Sequence, residues 1–248
     1  MKKALAILMM LALPVGTLAS GGGNQNLDKV EIDLTDEASL QRGAKIFVNF
    51  CLSCHSASFL RYEKLVTDLG ISEEIVLKDL MFAGDKIGEL MTSTMPEDDA
   101  KKWFGTAPPD LSLISRSRGP DWIYTYMRSF YLDDESPSGW NNIVFPHVAM
   151  PHAMYEWQGN QRAIFTQDSK GNDKFERFEL VKEAQLTPVE YDSAMRDLTN
   201  FMVYMGEPAK LVRYKYGFWV LTFLLLFIGL TYMLKKEYWR DIHGDSHH

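Results

Sequence analysis

Two cysteines stand in this 248-residue chain, and they stand together. Cys51 and Cys54 lie three apart, and His55 follows at once, in the stretch Phe50-Cys51-Leu52-Ser53-Cys54-His55. Three chemistries use such a pattern. A redox dithiol wants a strand before the motif and a helix starting at the first cysteine. A structural zinc wants four ligands, usually two such pairs, and here only distant histidines could complete the set. A covalent haem uses every residue of the pattern. Two thiols add across the haem vinyls and the adjacent histidine ligates iron from one face. The haem reading is preferred, and one motif means one haem.

A haem iron held by His55 takes its second axial ligand from elsewhere in the chain. A thioether there raises the reduction potential, whereas a second histidine lowers it. Of 13 methionines, most are expected to fill core space. Two sit in Met-Pro pairs. Met95-Pro96 opens an acidic stretch and is expected to face water. Met150-Pro151 lies in "NNIVFPHVAMPH", an apolar loop stiffened by proline. Met150 therefore ranks first, ahead of His147, His152 and Met154.

The elements that must position these groups are mostly helical. "DEASLQRGAKIFVNFCLSCHS" repeats Leu40, Ile46, Phe47 and Phe50 at helical spacing, with acids near its start where the helix dipole favours them. The cysteine motif thus falls at the end of an amphipathic helix. Residues 62–83 read as broken helix, and 84–105 as polar and turn-rich. Asp121 is expected to cap a short aromatic helix carrying Trp122, Tyr126 and Phe130. Residues 132–154 read as a long loop, and loops of that length are usually functional or disordered. The polar excursion 158–173 has the character of a hairpin. Thr187-Pro188-Val189-Glu190 is a capping box with proline at the first helical position, opening a helix to about Met205.

Both ends of the chain address a membrane. Lys2 and Lys3, an apolar run, Pro14, and small residues up to Ala19 read as a secretory signal over 1–19. Residues 20–27 form a Gly/Ser/Asn linker. Residues 28–208 are assigned to an exported domain, 211–236 to a membrane anchor, and 237–248 to a cytoplasmic tail. From Tyr216 to Leu234 there is no charge. About 19 residues rising ~1.5 Å each span ~28 Å, close to a bilayer core. Trp219 and Tyr232 sit near its ends as interfacial aromatics do. Basic residues flank both sides, so orientation rests on the signal. The formal net charge of −7 argues against a nucleic-acid partner, which needs a basic face.

The stretches "LQRGAKIFVNFCLSCHS", "APPDLSLISRSRG" and "WNNIVFPHVAMPH", in this order before a C-terminal anchor, resemble the cytochrome c1 family. That family supplies the haem-bearing subunit of the ubiquinol–cytochrome c reductase (cytochrome bc1) complex. The resemblance implies a mostly α, cytochrome c-like haem domain with long loops and one C-terminal transmembrane helix. It implies one covalent haem c on Cys51 and Cys54, with His55 and Met150 as axial ligands. Pro108, Pro109, Leu111 and Trp122 would contact the haem. Arg118, with Arg116 as alternate, would pair with a propionate, a forked contact suited to arginine.

The implied role is electron transfer in a bacterial respiratory complex. An electron arrives from the Rieske iron–sulfur protein, cytochrome b is the membrane partner, and a cytochrome c accepts. The implied complex is dimeric and lies in the inner membrane, with the haem domain in the periplasm. Acidic residues Glu97, Asp98 and Asp99, and Asp133, Asp134 and Glu135, are candidate docking sites for a basic cytochrome c. Three rivals share parts of the pattern. A stand-alone anchored cytochrome c would not co-purify with cytochrome b. An exported thiol–disulfide oxidoreductase would carry no haem and two titratable thiols. A haem peroxidase usually needs two motifs.

Overall fold

The computed structural model describes residues 27–167 and 171–240. The expected signal over 1–19, most of the linker and the last eight residues of the tail lie outside the described residues.

Four helices organise the chain: α1 (Glu37–Phe50), α2 (Pro120–Arg128), α3 (Pro188–Gly206) and α4 (Ala209–Tyr238). Three antiparallel strand pairs fill the connections: β1 (Ala57–Arg61) with β2 (Leu90–Met91), β3 (Phe130–Leu132) with β4 (Trp140–Asn142), and β5 (Asn160–Gln167) with β6 (Asp173–Lys182). The architecture is helical with long connections, as expected from the sequence.

Helix α1 starts at Asp36, whose side chain accepts from the Ser39 amide, and buries Leu40, Ala44, Phe47 and Val48. Helix α3 starts on the Thr187–Glu190 capping box read from the sequence. The two helices pack closely because Gly43 has no side chain. A Cβ built there would lie 2.1 Å from the Asp197 carbonyl oxygen and 2.7 Å from Phe201 Cβ. Phe47 and Phe201 meet with ring centroids 5.6 Å apart. Beside this apolar seam, Asp197 accepts from Ser39 Oγ at 2.7 Å and from Arg42 Nε at 2.6 Å. The buried carboxylate is thus both paired and hydrogen-bonded, the condition for tolerating charge inside.

Three expectations are corrected. Glu97–Phe104, inside the stretch read as turns, is a helix ended by Gly105 at φ 76°. Lys101–Glu97 and Lys102–Asp99 ion pairs of 2.7 and 2.9 Å bridge its turns. Helix α2 is entered through Gly119 and Pro120, not capped by Asp121. The Asp121 carboxylate instead accepts from the Val30 amide at 3.1 Å and meets Lys29 Nζ at 2.6 Å, tying the N-terminal segment down. The loop read over 132–154 is partly ordered as the β3–β4 hairpin, pairing Phe130 with Asn142 and Leu132 with Trp140. The polar excursion is a hairpin, longer than expected, from Asn160 to Lys182.

Helix α4 is the one helix among the described residues that is long and apolar enough to cross a membrane. None of its residues is buried. Its 30 residues span about 45 Å at 1.5 Å each, more than the ~30 Å of a bilayer core.

Candidate haem site

The cysteine motif leaves the last turn of α1 and keeps winding. The Cys51 amide donates to the Phe47 carbonyl at 2.9 Å, and the amides of Cys54 and His55 donate to the Cys51 carbonyl at 3.1 and 2.8 Å. Positions i, i+3 and i+4 of such a turn share one side. Cys51, Cys54 and His55 accordingly line the same apolar cavity of about 440 Å³. That volume lies within the range of small-molecule and cofactor pockets.

A second segment clasps the motif. The Leu111 amide donates to the Ser56 carbonyl at 2.8 Å, and the Ser58 amide donates to Asp110 Oδ2 at 2.9 Å. The Phe59 amide donates to Ser112 Oγ at 3.1 Å. Within this clasp His55 Nδ1 lies 2.8 Å from the Pro109 carbonyl oxygen. A carbonyl only accepts, so Nδ1 carries the proton and Nε2 keeps a free lone pair. Burial lowers the His55 pKa, against the Pro109 contact, and favours the neutral imidazole that a metal binds.

Pro108, Pro109, Leu111, Arg118 and Trp122 all line the cavity. Arg118 holds its guanidinium over the rings of Trp122 and Phe145, at 5.1 and 5.8 Å from their centroids. It makes no ion pair among the described residues. Arg116 does not line the cavity; its guanidinium lies 3.3 Å from Glu207 Oε2.

The four ranked ligand candidates separate. Met150 lines the cavity, and its sulfur accepts from the Tyr126 hydroxyl at 3.4 Å. His147 also lines it, exposed and in a left-handed backbone conformation at φ 61°. His152 is buried away from it, stacked on Phe130 at 4.8 Å. Met154 is buried in the core. Met95 is half-buried and also outside the lining.

The residues present suit a haem. The His55 imidazole is fixed with a free lone pair on Nε2, the Met150 thioether and two thiols line the same apolar space together with the thioethers of Met127 and Met202, and an arginine without a carboxylate partner among the described residues stands at its wall. They do not suit thiol chemistry. Burial pushes the Cys51 thiol up to about 12, whereas reactive thiols are lowered, commonly at a helix N-terminus. Cys51 is at the C-terminal end of α1.

The acidic clusters are local in their bonding. Glu97 and Asp99 pair with lysines on their own helix, whose last residue Phe104 lines the cavity. Asp133 accepts from Asn141 Nδ2 at 2.7 Å and from the Glu135 amide at 3.0 Å. Asp98, Asp134 and Glu135 are exposed.

Sequence reasoning did not single out Tyr126, Phe145, Leu198 or Met202 as lining residues. The signal for Tyr126 was its place one turn after Trp122, with which it stacks at 4.8 Å. Leu198 and Met202 come from α3, far along the chain, and carry no local signal.

The profile of the Cytochrome C1 family matches residues 29–242. "Cytochrome c1" of Allochromatium vinosum is 49% identical over 245 residues, which are 98% of this chain and 100% of that protein. "Ammonia monooxygenase gamma subunit" of Nitrosomonas europaea is 46% identical, over 96% of this chain and 97% of that protein. "Cytochrome b/c1" of Bradyrhizobium diazoefficiens is 26% identical, over 97% of this chain and 40% of that protein. Beside the cavity that the cysteine motif lines, these matches mean that the chain belongs to the cytochrome c1 family, the haem-carrying, membrane-anchored electron-transfer subunits of cytochrome bc1 complexes.

Proposed function

We propose that this chain carries one haem c, bound through Cys51 and Cys54, with His55 and Met150 as the axial ligands. The observation that carries the reading is the convergence of all four side chains on one apolar cavity. When bound, the haem supplies one-electron oxidation and reduction at iron. The residues of the chain do the rest. His55 is held by the Pro109 carbonyl, Met150 supplies a soft sulfur that favours a high potential, and Arg118 offers a fork for a propionate. Pro108, Pro109, Leu111 and Trp122 keep water from the cavity walls.

In this reading the chain accepts one electron from a Rieske iron–sulfur protein and passes it to a cytochrome c. It breaks no bond of a substrate. Residues 1–19 act as an export signal and 20–27 as a linker. Residues 28–208 form a periplasmic haem domain of a bacterial inner membrane, 211–236 the anchor and 237–248 a cytoplasmic tail. Cytochrome b packs against the uncovered α4, and the complex is a dimer. A relative whose name joins b and c1, and of which this chain spans 40%, supports cytochrome b as the neighbour. Asp98, Asp134 and Glu135 supply the steering charge for a basic acceptor, with Glu97, Asp99 and Asp133 partly neutralised by their own partners.

Purification of the tagged chain from its native membrane tests this. The proposal expects cytochrome b and an iron–sulfur protein in the preparation, and reduction of the haem on adding a quinol. A haem protein that comes away alone, or with a monooxygenase in keeping with the Nitrosomonas relative's description, contradicts it.

A further inference from the structure

The half-buried Tyr126 side chain stands in the cavity wall, and its hydroxyl donates to the Met150 sulfur at 3.4 Å. A buried hydroxyl costs free energy unless it is bonded. Packing alone does not call for it here. The ring stacks on Trp122 at an interplanar angle of 10° and meets Phe130 edge-on at 5.0 Å, contacts that a phenylalanine makes equally well. The oxygen serves the sulfur.

Both partners are held by neighbouring structure. The Tyr126 carbonyl accepts from Asn142 Nδ2 at 2.8 Å. Asn142 Oδ1 in turn accepts from the Val144 and Phe145 amides at 2.9 and 3.2 Å. Asn141 Oδ1 accepts from the His147 amide at 2.8 Å. Two adjacent asparagines of β4 thus join the end of α2 to the loop that carries Met150. These asparagine contacts hold the two backbones from which the phenol and the thioether approach each other.

A thioether sulfur has two lone pairs. One can bind iron while the other accepts a hydrogen bond. The bond draws density off the sulfur and weakens its donation, which costs the ferric state more than the ferrous. We propose that Tyr126 is a positioning residue for the sixth ligand: its hydroxyl holds the Met150 sulfur and raises the midpoint potential of the haem. The inference rests on Met150 as ligand.

The test is Tyr126→Phe in the full chain within its membrane complex, alone and in a Met150→Leu background. Redox titration of the haem and the weak Met-to-iron charge-transfer band are the readouts. Tyr126→Phe is expected to keep the band, and to shift the one-electron equilibrium about threefold to tenfold toward the oxidised form. At 59 mV per tenfold this is about 30–60 mV downward. In the Met150→Leu background the same change is expected to move nothing further. An unchanged potential, or an equal shift in both backgrounds, overturns the role of Tyr126 while leaving the ligand in place. A charge-transfer band that survives Met150→Leu overturns the ligand assignment itself.

Discussion

His55 Nδ1 and the Pro109 carbonyl oxygen lie 2.8 Å apart across 54 residues of sequence. This contact joins the cysteine motif to the "PPDLS" segment and leaves His55 Nε2 as the only ring nitrogen with a free lone pair. Its acceptor is a backbone carbonyl, which no side-chain substitution at residue 109 removes. What can be varied is the group that seats the segment, Asp110.

Asp110 accepts from the amides of Ser58 and Ser112 at 2.9 and 2.8 Å. Burial pushes its pKa up, and these hydrogen bonds more than offset that, leaving it below the usual 3.8. A lowered folded value means stabilisation that is complete above 3.8 and lost as pH falls through the lower folded value. Asp110→Asn is therefore expected to unfold at a lower temperature than the parent at pH 7, with the gap closing below pH 3.8. Thermal loss of the haem spectrum, followed at both pH values, checks this; a gap that does not change with pH contradicts it.

Gly43 allows α1 and α3 to touch. With a Cβ placed 2.1 Å from the Asp197 carbonyl, Gly43→Ala must push the helices apart or shift backbone. Overpacking of this kind costs about 1–3 kcal/mol. Part of that is offset by alanine's better helix propensity, about 1 kcal/mol. Denaturant unfolding is expected to show net destabilisation, and equal or greater stability would mean that the helices are not locked at this crossing.

Much of the scaffold was legible and some of the site was not. The apolar spacing of α1, the capping box at Thr187 and the uncharged stretch of α4 are local signals, and each gave its element. Strands of three residues such as Phe130–Leu132 are too short for a period to show. Helix Glu97–Phe104 was hidden by its polarity, although three acids followed by two lysines is the order a helix dipole and side-chain pairs favour. Asp121 followed a cap preference that its bond to the Val30 amide overrode. The Tyr126–Met150 contact depends on how a helix meets a loop 24 residues later, which no local pattern encodes.

Arg118 is held by aromatic faces and not by a carboxylate among the described residues. Its charge is therefore available to a haem propionate. Removing a cation beside the haem disfavours the reduced, less positive state. Arg118→Gln is expected to lower the midpoint potential while the absorbance spectrum keeps its shape. Arg116→Gln, whose charge is engaged with Glu207, is expected to change the potential less. Equal shifts in the two variants would contradict the distinction.

Asp98, Asp134 and Glu135 are exposed, so their field is screened by salt within about 10 Å at 0.1 M. The triple change to Asn, Asn and Gln is expected to slow electron transfer to a basic cytochrome c by about threefold to tenfold at low ionic strength. At high salt the difference should vanish. Stopped-flow oxidation of the haem at two ionic strengths reads this, and a rate insensitive to the substitutions at low salt would remove these residues from the docking surface.

A haem held between His55 and Met150 is tested most directly by the ferric absorption spectrum of the purified protein beside that of Met150→Leu. The native chain is expected to show a c-type spectrum with the Met-to-iron charge-transfer band. The variant is expected to keep the haem, lose that band and titrate at a lower potential. A variant that retains both the band and the native potential would place the sixth ligand elsewhere, and a native chain without a haem spectrum would mean that Cys51, Cys54 and His55 hold no haem.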